Sequence, residues 1–180
     1  LAESIRMIIA NLNYIFATSS NEKKCRKILV TSSIKSEGKT IISANLAKLL
    51  AANGKKVLLI GADLRNPQLH KLISKSKSLK GLSDMIYNSA IDEYKKYLLN
   101  LESIDIMLSG TIPPNPTELL ASNRFDDFMK SIDNEYDYIV IDSAPCLLVS
   151  DTFEIANKVD LSLYVVRANH AETTLIDFIN

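Results

Sequence analysis

The chain has 180 residues, of which 47% are hydrophobic and 23% are charged, a composition typical of one globular domain. Its 21 Lys and Arg residues balance its 21 Asp and Glu residues, so the formal net charge is zero. A basic excess would indicate nucleic acid or an anionic membrane, and because there is none we expect no nucleic-acid partner. No apolar run approaches the ~18 residues that a membrane-spanning helix needs.

The first third of the chain alternates between helical and strand patterns. Isoleucine and leucine residues recur at helical spacing near the N-terminus, and a polar loop follows over residues 18–24. Two short apolar runs are typical of buried strands. Gly54 can cap the helix between them. The predicted elements are helix 3–16, strand 27–31, helix 40–53 and strand 57–60.

The remainder of the chain continues the alternation after a mixed, polar stretch. A proline-rich loop at residues 110–116 precedes a helical pattern, for which Thr117 is the predicted N-cap. We expect Glu118 to complement the dipole of that helix. His70 and His170 stand alone, and we expect surface or packing roles for both. The predicted elements are short helices 82–87 and 93–99, strand 104–108, helix 117–132, and strands 138–141 and 161–166.

This alternation predicts an α/β fold whose mostly parallel sheet is flanked by helices on both faces. Ligands of such sheets bind at the carboxyl ends of the strands, and the motifs described next all lie at such ends. We expect residues 1–180 to form a single P-loop domain, with residues 1–18 as its N-terminal helix.

The segment after the first strand is typical of a P-loop. Successive backbone N–H groups and the N-terminus of the following helix would bind phosphate, with Lys39 reaching the β- and γ-phosphates and Thr40 binding Mg²⁺. Ser33 occupies the place of the first glycine, and Ser36 stands where many such loops have glycine. If either position needs a positive φ, the serine costs on the order of 1 kcal/mol. The predicted nucleotide-binding residues are Ser33, Lys35, Ser36, Glu37, Gly38, Lys39, Thr40 and Ile41.

Carboxylates follow two other strands and are candidates for binding Mg²⁺, which prefers hard oxygen ligands. Asp142 ends the apolar run Tyr138–Ile141, in the form of a Walker B strand. Asp63 and Arg65 come shortly after the strand that ends at Ile60. The predicted metal ligands are therefore Thr40, Asp63 and Asp142, and the predicted catalytic residues are Lys39, Asp63, Asp142 and Arg65. For Arg65, neutralisation of phosphate, pairing with Asp63 and contact with a neighbouring copy all remain open.

From residue 3 to about residue 168, the sequence resembles the bacterial tyrosine kinases of capsule and exopolysaccharide synthesis (BY-kinases). The most specific match is the segment from Ser109 to Leu120, which contains Pro-Pro-Asn-Pro and Glu-Leu-Leu. The other matching segments are Glu3-Ser4-Ile5-Arg6, residues 57–67, Gly81-Leu82-Ser83-Asp84, residues 136–145 and Ser150-Asp151.

The resemblance implies an ATP-dependent, Mg²⁺-requiring autokinase that transfers phosphate to tyrosines of a neighbouring copy and regulates polysaccharide export. It further implies ring assembly through the helix that carries Glu3 and Arg6. The implied partner is a membrane polysaccharide co-polymerase, fused or separate, so we expect a cytoplasmic domain associated with the inner or plasma membrane. Because the sequence begins with Leu1 and ends in the helical pattern Glu172–Asn180, we expect a fragment of a longer protein.

The sequence departs from the family pattern in three respects. Gly61 replaces an aspartate that is a candidate for activating the attacking hydroxyl or anchoring the metal. Ile9 replaces the second arginine of the N-terminal helix motif, and no tyrosine cluster lies near residue 180. Two alternatives therefore stay open: a catalytically weak nucleotide-binding regulatory module, and a partition-type switch ATPase. Partition-type ATPases carry a signature lysine five residues before the lysine of the P-loop. Here Ile34 holds that place before Lys39, so the signature is absent.

Overall fold

The computed structural model describes residues 2–18, 24–73, 79–89 and 91–170. The predicted helical stretch Glu172–Asn180 and most of the predicted loop at 18–24 lie outside these ranges. The strands are β1 (Arg26–Ser32), β2 (Val57–Gly61), β3 (Leu98–Leu101), β4 (Ile104–Met107), β5 (Tyr138–Asp142) and β6 (Leu161–Val165). The helices are α1 (Ala2–Thr18), α2 (Lys39–Ala52), α3 (Leu69–Leu72), α4 (Leu82–Tyr87), α5 (Pro116–Ala121), α6 (Asn123–Ser131) and α7 (Asp151–Ala156), with a 3₁₀ helix at Ile91–Tyr97.

The strands form one sheet in the order β3-β4-β2-β5-β1-β6, in which every pair is parallel except β3 with β4. The predicted α/β fold with a mostly parallel sheet is confirmed. Strand β1 lies between β5 and β6, so the loop that follows β1 opens beside the carboxyl ends of both neighbours.

Alternation along the buried strands divides the core into two layers, because successive side chains of a strand point to opposite faces. In β1, Ile28 and Val30 pack with α1 and α2 on one face. Leu29 between them packs on the other face, with Phe125 and Phe128 of α6. Helices therefore cover both faces of the sheet, and none of the described ones is long and apolar enough to cross a bilayer.

The N-terminal helix α1 lies on the sheet beside α2. Its buried side chains are Ile5, Ile9, Leu12 and Phe16, at the helical spacing that the sequence predicts. Ile9 is only 6% exposed, so the residue that departs from the family's second arginine is part of the core. Glu3 and Arg6 are exposed on the same helix and pair with one another at 2.8 Å.

The predicted helix 117–132 is wrong in two respects. The chain leaves helical geometry at Ser122, whose φ of −72° and ψ of 149° are extended, and two helices, α5 and α6, result. The Ser122 hydroxyl accepts from the Phe125 amide, so a serine that favours N-caps begins α6. Asn115, rather than Thr117, is the N-cap of α5, and Pro116 takes its first position. Glu118 lies in the first turn as predicted.

The predicted helix 93–99 is right only as far as residue 97, and it is of the 3₁₀ type. A 3₁₀ helix ends at Tyr97, and Leu98–Leu101 then forms β3, which pairs antiparallel with β4. Periodicity cannot separate a short buried helix from a short strand in a run such as Leu98-Leu99-Asn100-Leu101. Pairing of Leu99 with Ile106 of β4 decides the outcome, and that pairing is a tertiary contact.

Two of the segments that resemble the kinase family, residues 81–84 and 109–120, meet after β4. The Asp84 carboxylate accepts from the backbone amides of Gly81 and Thr111, at 2.9 and 3.0 Å, and from the Thr111 hydroxyl at 2.7 Å. Ser83 donates to the Thr111 carbonyl at 2.6 Å. Between these contacts Gly110 has a φ of +82°, and a Cβ there would lie 2.8 Å from the Gly81 nitrogen and closer still to Asp84.

We expect Gly110→Ala to destabilise the protein more than Gly54→Ala does. Both glycines have a positive φ, but nothing lies within 4 Å of a Cβ at Gly54. Gly54→Ala should therefore cost only the left-handed backbone strain, about 1–2 kcal/mol. Gly110→Ala should add the cost of overpacking, about 1–3 kcal/mol. Urea unfolding of both variants measures the difference, and equal losses would contradict the close approach at Gly110.

Candidate functional site

The loop between β1 and α2 has the backbone of a phosphate cradle. Gly38 has a φ of +101° and begins α2, and a Cβ there would meet nothing within 4 Å. Ser36 has a φ of +65°, so it carries the strain expected for a serine in the place of glycine. Ser33 is not among the residues with positive φ, so its position does not require glycine.

Lys39 lies at the base of this loop, where α2 begins. Its side chain is 8% exposed, and Nζ donates to the Ser32 hydroxyl at 2.9 Å. Burial lowers the pKa of the ammonium group, against the opposing charges of Asp142, Asp63 and Glu37. The buried ammonium is therefore poorly solvated, and a phosphate anion bound at the loop would stabilise its charged form.

Asp142 ends β5 and is 2% exposed, directly across from α2. The Ser43 hydroxyl, one helical turn after Lys39, donates to Asp142 Oδ1 at 3.3 Å. Burial raises the pKa of Asp142 to about 7, although the Thr40 hydroxyl, Lys39 and Ser43 oppose this shift. The raised pKa reflects poor solvation of the carboxylate, and a divalent cation bound beside it would stabilise its charged form.

Asp63 reaches the same region from the adjacent strand β2. The amides of Ala62 and Asp63 both donate to the Asp142 carbonyl, at 2.8 and 3.2 Å, which joins the two segments. The Asp63 carboxylate is oriented in turn, because its Oδ1 accepts from the amides of Arg65 and Asn66. Charge interactions link Lys39 with Asp63 and Asp142, so the predicted lysine and two aspartates do converge.

A cleft of about 690 Å³ opens over these residues. Its lining includes four basic residues and, among acids, Asp63. This excess of positive charge suits a polyphosphate, and the hydroxyl of Thr40 and the carboxylates of Asp63 and Asp142 are hard oxygen donors suited to Mg²⁺. Of the predicted nucleotide-binding residues, the cleft is lined by Lys35, Ser36, Gly38, Lys39, Thr40 and Ile41.

Two predicted residues of the loop, Ser33 and Glu37, are buried instead of lining the cleft. Glu37 is 4% exposed, and its Oε2 accepts from the Ile34 amide at 3.0 Å. Ser33 is 1% exposed and shares a short hydrogen bond with the Tyr164 hydroxyl of β6. Both side chains therefore hold the shape of the loop.

Arg65 lines the cleft but is engaged at its edge. The guanidinium donates to both carboxylate oxygens of Asp151, at 2.8 and 3.0 Å, and to the Thr117 hydroxyl at 3.1 Å. Asp63 acts on the guanidinium through its charge, and it accepts from the Arg65 amide. Burial would raise the pKa of Asp151, but hydrogen bonds from Arg65 and Thr117 hold it below its ordinary value.

Gly61 shares a register position with Asp142, so a side chain at either residue points to the same face of the sheet. A Cβ at position 61 would lie 2.9 Å from the Ser109 hydroxyl and 3.3 Å from the Ser109 nitrogen. The space that the family's aspartate would need is thus bordered by Ser109, which is buried.

Sequence reasoning missed several residues that shape the site, and it assigned no function to Thr117 or Asp151. Ser43 follows Lys39 by one helical turn, a spacing that could have indicated a shared face. Ser32 and Tyr164 gave no comparable signal, because their partners come from other segments. The predicted interface residues Glu3 and Arg6 lie on α1 and do not line the cleft.

A family model described as an AAA domain matches residues 26–163. Over 171 residues, or 95% of its length, the chain is 33% identical to tyrosine-protein kinase YwqD of Bacillus subtilis (strain 168), of which it covers 70%. The chain belongs to the family of bacterial tyrosine kinases. Among solved structures, the kinase domain of Escherichia coli tyrosine kinase ETK has a TM-score of 0.88 and 30% identity, with 98% of this chain and 68% of that one covered. The predicted family is confirmed.

Other members of the family are much longer than this chain. A putative tyrosine-protein kinase in the cps region of Klebsiella pneumoniae is 35% identical, but the chain spans only 22% of it. The septum site-determining protein MinD of Pyrococcus horikoshii OT3, solved with Mg-ADP, has a TM-score of 0.64 at 22% identity. That likeness shows a shared fold alone, so the partition-type alternative is not favoured.

In the nucleotide-free protein, we expect Asp142 to make stability fall as the pH rises. Its pKa is raised from 3.8 to about 7, so between these values the folded state keeps a proton that the unfolded chain has released. Stability falls through this window because the folded state binds more protons. Asp142→Asn should remove the effect, so the stability of this variant should change less between pH 4 and pH 8 than that of the wild type.

Asp151→Asn provides the matched comparison with the opposite sign. The pKa of Asp151 is lowered in the folded state, so its charge stabilises the protein above the ordinary value and this contribution disappears as the pH falls. This variant should therefore be less stable than the wild type at pH 8. Urea unfolding between pH 4 and pH 8 measures all three proteins, and parallel curves for wild type and Asp142→Asn would contradict the assignment.

Proposed function

We propose that this chain is the ATP-binding catalytic domain of a protein tyrosine autokinase that regulates the synthesis and export of capsule or exopolysaccharide. The observation that carries the proposal is that Lys39 and Asp63 line one cationic cleft beside the P-loop, with the buried Asp142 close enough to act on Lys39 through its charge. Membership of the bacterial tyrosine kinase family supports the identity of the acceptor, since the relatives are named as tyrosine-protein kinases.

In the proposed reaction, the phenolic oxygen of a tyrosine attacks the γ-phosphorus of ATP, and the bond between that phosphorus and the leaving ADP oxygen breaks. Phosphoryl transfer needs mainly positioning and charge neutralisation. The P-loop amides and Lys39 bind the phosphates, and Lys39 neutralises charge that develops on the leaving group. Asp63, held by two amides at the edge of the cleft, accepts the phenolic proton.

Thr40, Asp142 and Asp63 are the residues that would hold Mg²⁺. Bound there, the metal would offset the charge of the phosphate oxygens and orient them for an in-line displacement. Asp142 is buried and accepts a hydrogen bond from Ser43, so bulk water would compete little with the metal for its carboxylate.

Arg65 supports the site from its edge in this proposal. Its hydrogen bonds to Asp151 and Thr117 join the segment after β2 to α5 and α7, and this junction would keep Asp63 in place. The guanidinium is 44% exposed, so its charge also contributes to the potential at the mouth of the cleft.

The wider assembly is proposed by family likeness. We expect the kinase to act on neighbouring copies of itself, with Glu3 and Arg6 at the contact, and to work with a membrane polysaccharide co-polymerase at the cytoplasmic face. Ile9 weighs against assembly through α1, because a buried isoleucine stands in place of the family's second arginine and offers no hydrogen-bond donor to a neighbouring copy.

We expect the full-length protein with Mg²⁺ and γ-labelled ATP to form phosphotyrosine, and Lys39→Met to lower the rate by about 10²–10³-fold. Lys48→Met is the matched control, because Lys48 is exposed on the same helix and should leave the rate unchanged. Label on tyrosine is identified by mass spectrometry. Free phosphate without phosphotyrosine would indicate a switch ATPase, and nucleotide binding with neither product would indicate a regulatory module.

We expect an aspartate at position 61 to raise the rate if the missing carboxylate limits catalysis. Because Ser109 borders the site, the variant that tests this is Gly61→Asp combined with Ser109→Ala. Gly61→Ala with Ser109→Ala is the control, since it adds the Cβ without the carboxylate. A general base contributes about 10²–10⁴-fold, so an increase of at least about ten-fold over the control is expected. Equal rates would mean that Asp63 suffices.

A further inference from the structure

Three side chains from one short segment hold the P-loop from outside. The Tyr164 hydroxyl at the end of β6 shares a hydrogen bond with the Ser33 hydroxyl. In the turn that follows, Arg167 Nη1 donates to the Ser36 carbonyl at 3.3 Å, and His170 Nε2 lies 3.0 Å from the Lys35 carbonyl. The contacts therefore reach three of the four loop residues from Ser33 to Ser36.

The sequence of this P-loop creates a need for such contacts. Ser33 stands where the common motif has glycine, and its hydroxyl is buried, so it requires a hydrogen-bond partner. Ser36 has a positive φ, a strained conformation for a serine, which persists only where surrounding contacts hold it. Tyr164 is the hydrogen-bond partner of the buried Ser33 hydroxyl, and Arg167 donates to the carbonyl of the strained Ser36.

We propose that Tyr164, with Arg167 and His170, forms a clamp of positioning residues that holds the P-loop in its phosphate-binding shape before nucleotide arrives. The proposal rests on the proposed function, because it assigns these residues to the affinity of the same nucleotide site. A loop that is already ordered loses less conformational freedom on binding, so preorganisation appears as tighter binding. Tyr164 is the principal member, since it bonds a buried side chain while Arg167 and His170 are exposed.

A clamp differs measurably from a general packing role. A tyrosine on a strand can instead stabilise the whole sheet. Its replacement would then lower the melting temperature without specifically weakening nucleotide binding. Tyr138 provides the comparison, because it lies on β5 and its hydroxyl donates to Asn13 at 3.3 Å, away from the P-loop. Tyr138→Phe and Tyr164→Phe each remove one hydroxyl from the same sheet.

The affinity of the full-length protein for Mg-ADP is measured by calorimetry for wild type, Tyr164→Phe, Tyr138→Phe, Ser33→Ala and the Tyr164→Phe Ser33→Ala double variant. The Tyr164 hydroxyl also accepts from Cys146 Sγ at 3.7 Å, and it is the loss of its hydrogen bond to Ser33 that predicts about three- to ten-fold weaker binding for Tyr164→Phe, with no change for Tyr138→Phe. Since Tyr164 acts through Ser33, the double variant should bind no more weakly than the weaker of the two single variants.

Hydrogen exchange of the loop amides, residues 34–38, tests the clamp in the nucleotide-free protein. Exchange should be about three- to ten-fold faster in Tyr164→Phe than in the wild type, and unchanged in Tyr138→Phe. Arg167→Gln should have a smaller effect in the same direction. Arg124→Gln is its control, because Arg124 also donates to backbone carbonyls, those of Ile86 and Tyr87, but far along the chain from the loop.

The proposal is overturned if Tyr164→Phe binds Mg-ADP within about two-fold of the wild type, or if both tyrosine variants lose stability alike without faster loop exchange. Fully additive losses in the double variant would also overturn the path through Ser33. If the wild type itself does not bind Mg-ADP, the proposed function fails, whereas the exchange experiment still decides whether the clamp orders the loop.

Discussion

The site depends on the electrostatics of two buried groups, the ammonium of Lys39 at the start of α2 and the carboxylate of Asp142 at the end of β5. Lys39 and Asp142 are each withdrawn from water, and burial shifts the pKa of each towards its neutral form. Their mutual attraction opposes these shifts without cancelling them. Such a pair is costly in the free protein, and the proposed binding of phosphate and a divalent cation would reduce that electrostatic cost.

The rest of the domain restrains the segments that surround this pair. Hydrogen bonds from the Ala62 and Asp63 amides to the Asp142 backbone carbonyl join two strand ends, so the backbone segments that carry the two aspartates are held together. The Arg65–Asp151 ion pair ties the segment after β2 to α7, and Asp84 ties α4 to the loop after β4. These contacts explain why family motifs widely separated in sequence occur together: each holds a loop at the same edge of the sheet.

Two departures from the family pattern and one from the common P-loop motif have different structural consequences. At position 9, isoleucine is buried and packs in the core, so α1 presents no charge there. At position 61, glycine leaves the neighbourhood of Asp142 with one acidic group fewer, next to a buried serine. At position 33, serine brings a hydroxyl into the P-loop, and the fold supplies Tyr164 as its partner. The first bears on assembly, and the other two bear on the nucleotide site.

The sequence by itself determined the parallel α/β fold, the P-loop and the two aspartates, because each depends on local patterns: buried apolar runs, a Gly-Lys-Thr segment between strand and helix, and carboxylates at strand ends. It also determined α4 to the residue, from Leu82 to Tyr87. Only the tertiary structure decided that Leu98–Leu101 is a strand, that Ser122 divides two helices, and that Tyr164 contacts Ser33. The first outcome depends on pairing with β4 and the second on the Ser122 hydroxyl acting as an N-cap, while the third joins residues far apart in the chain. Apolar periodicity alone contains none of these contacts.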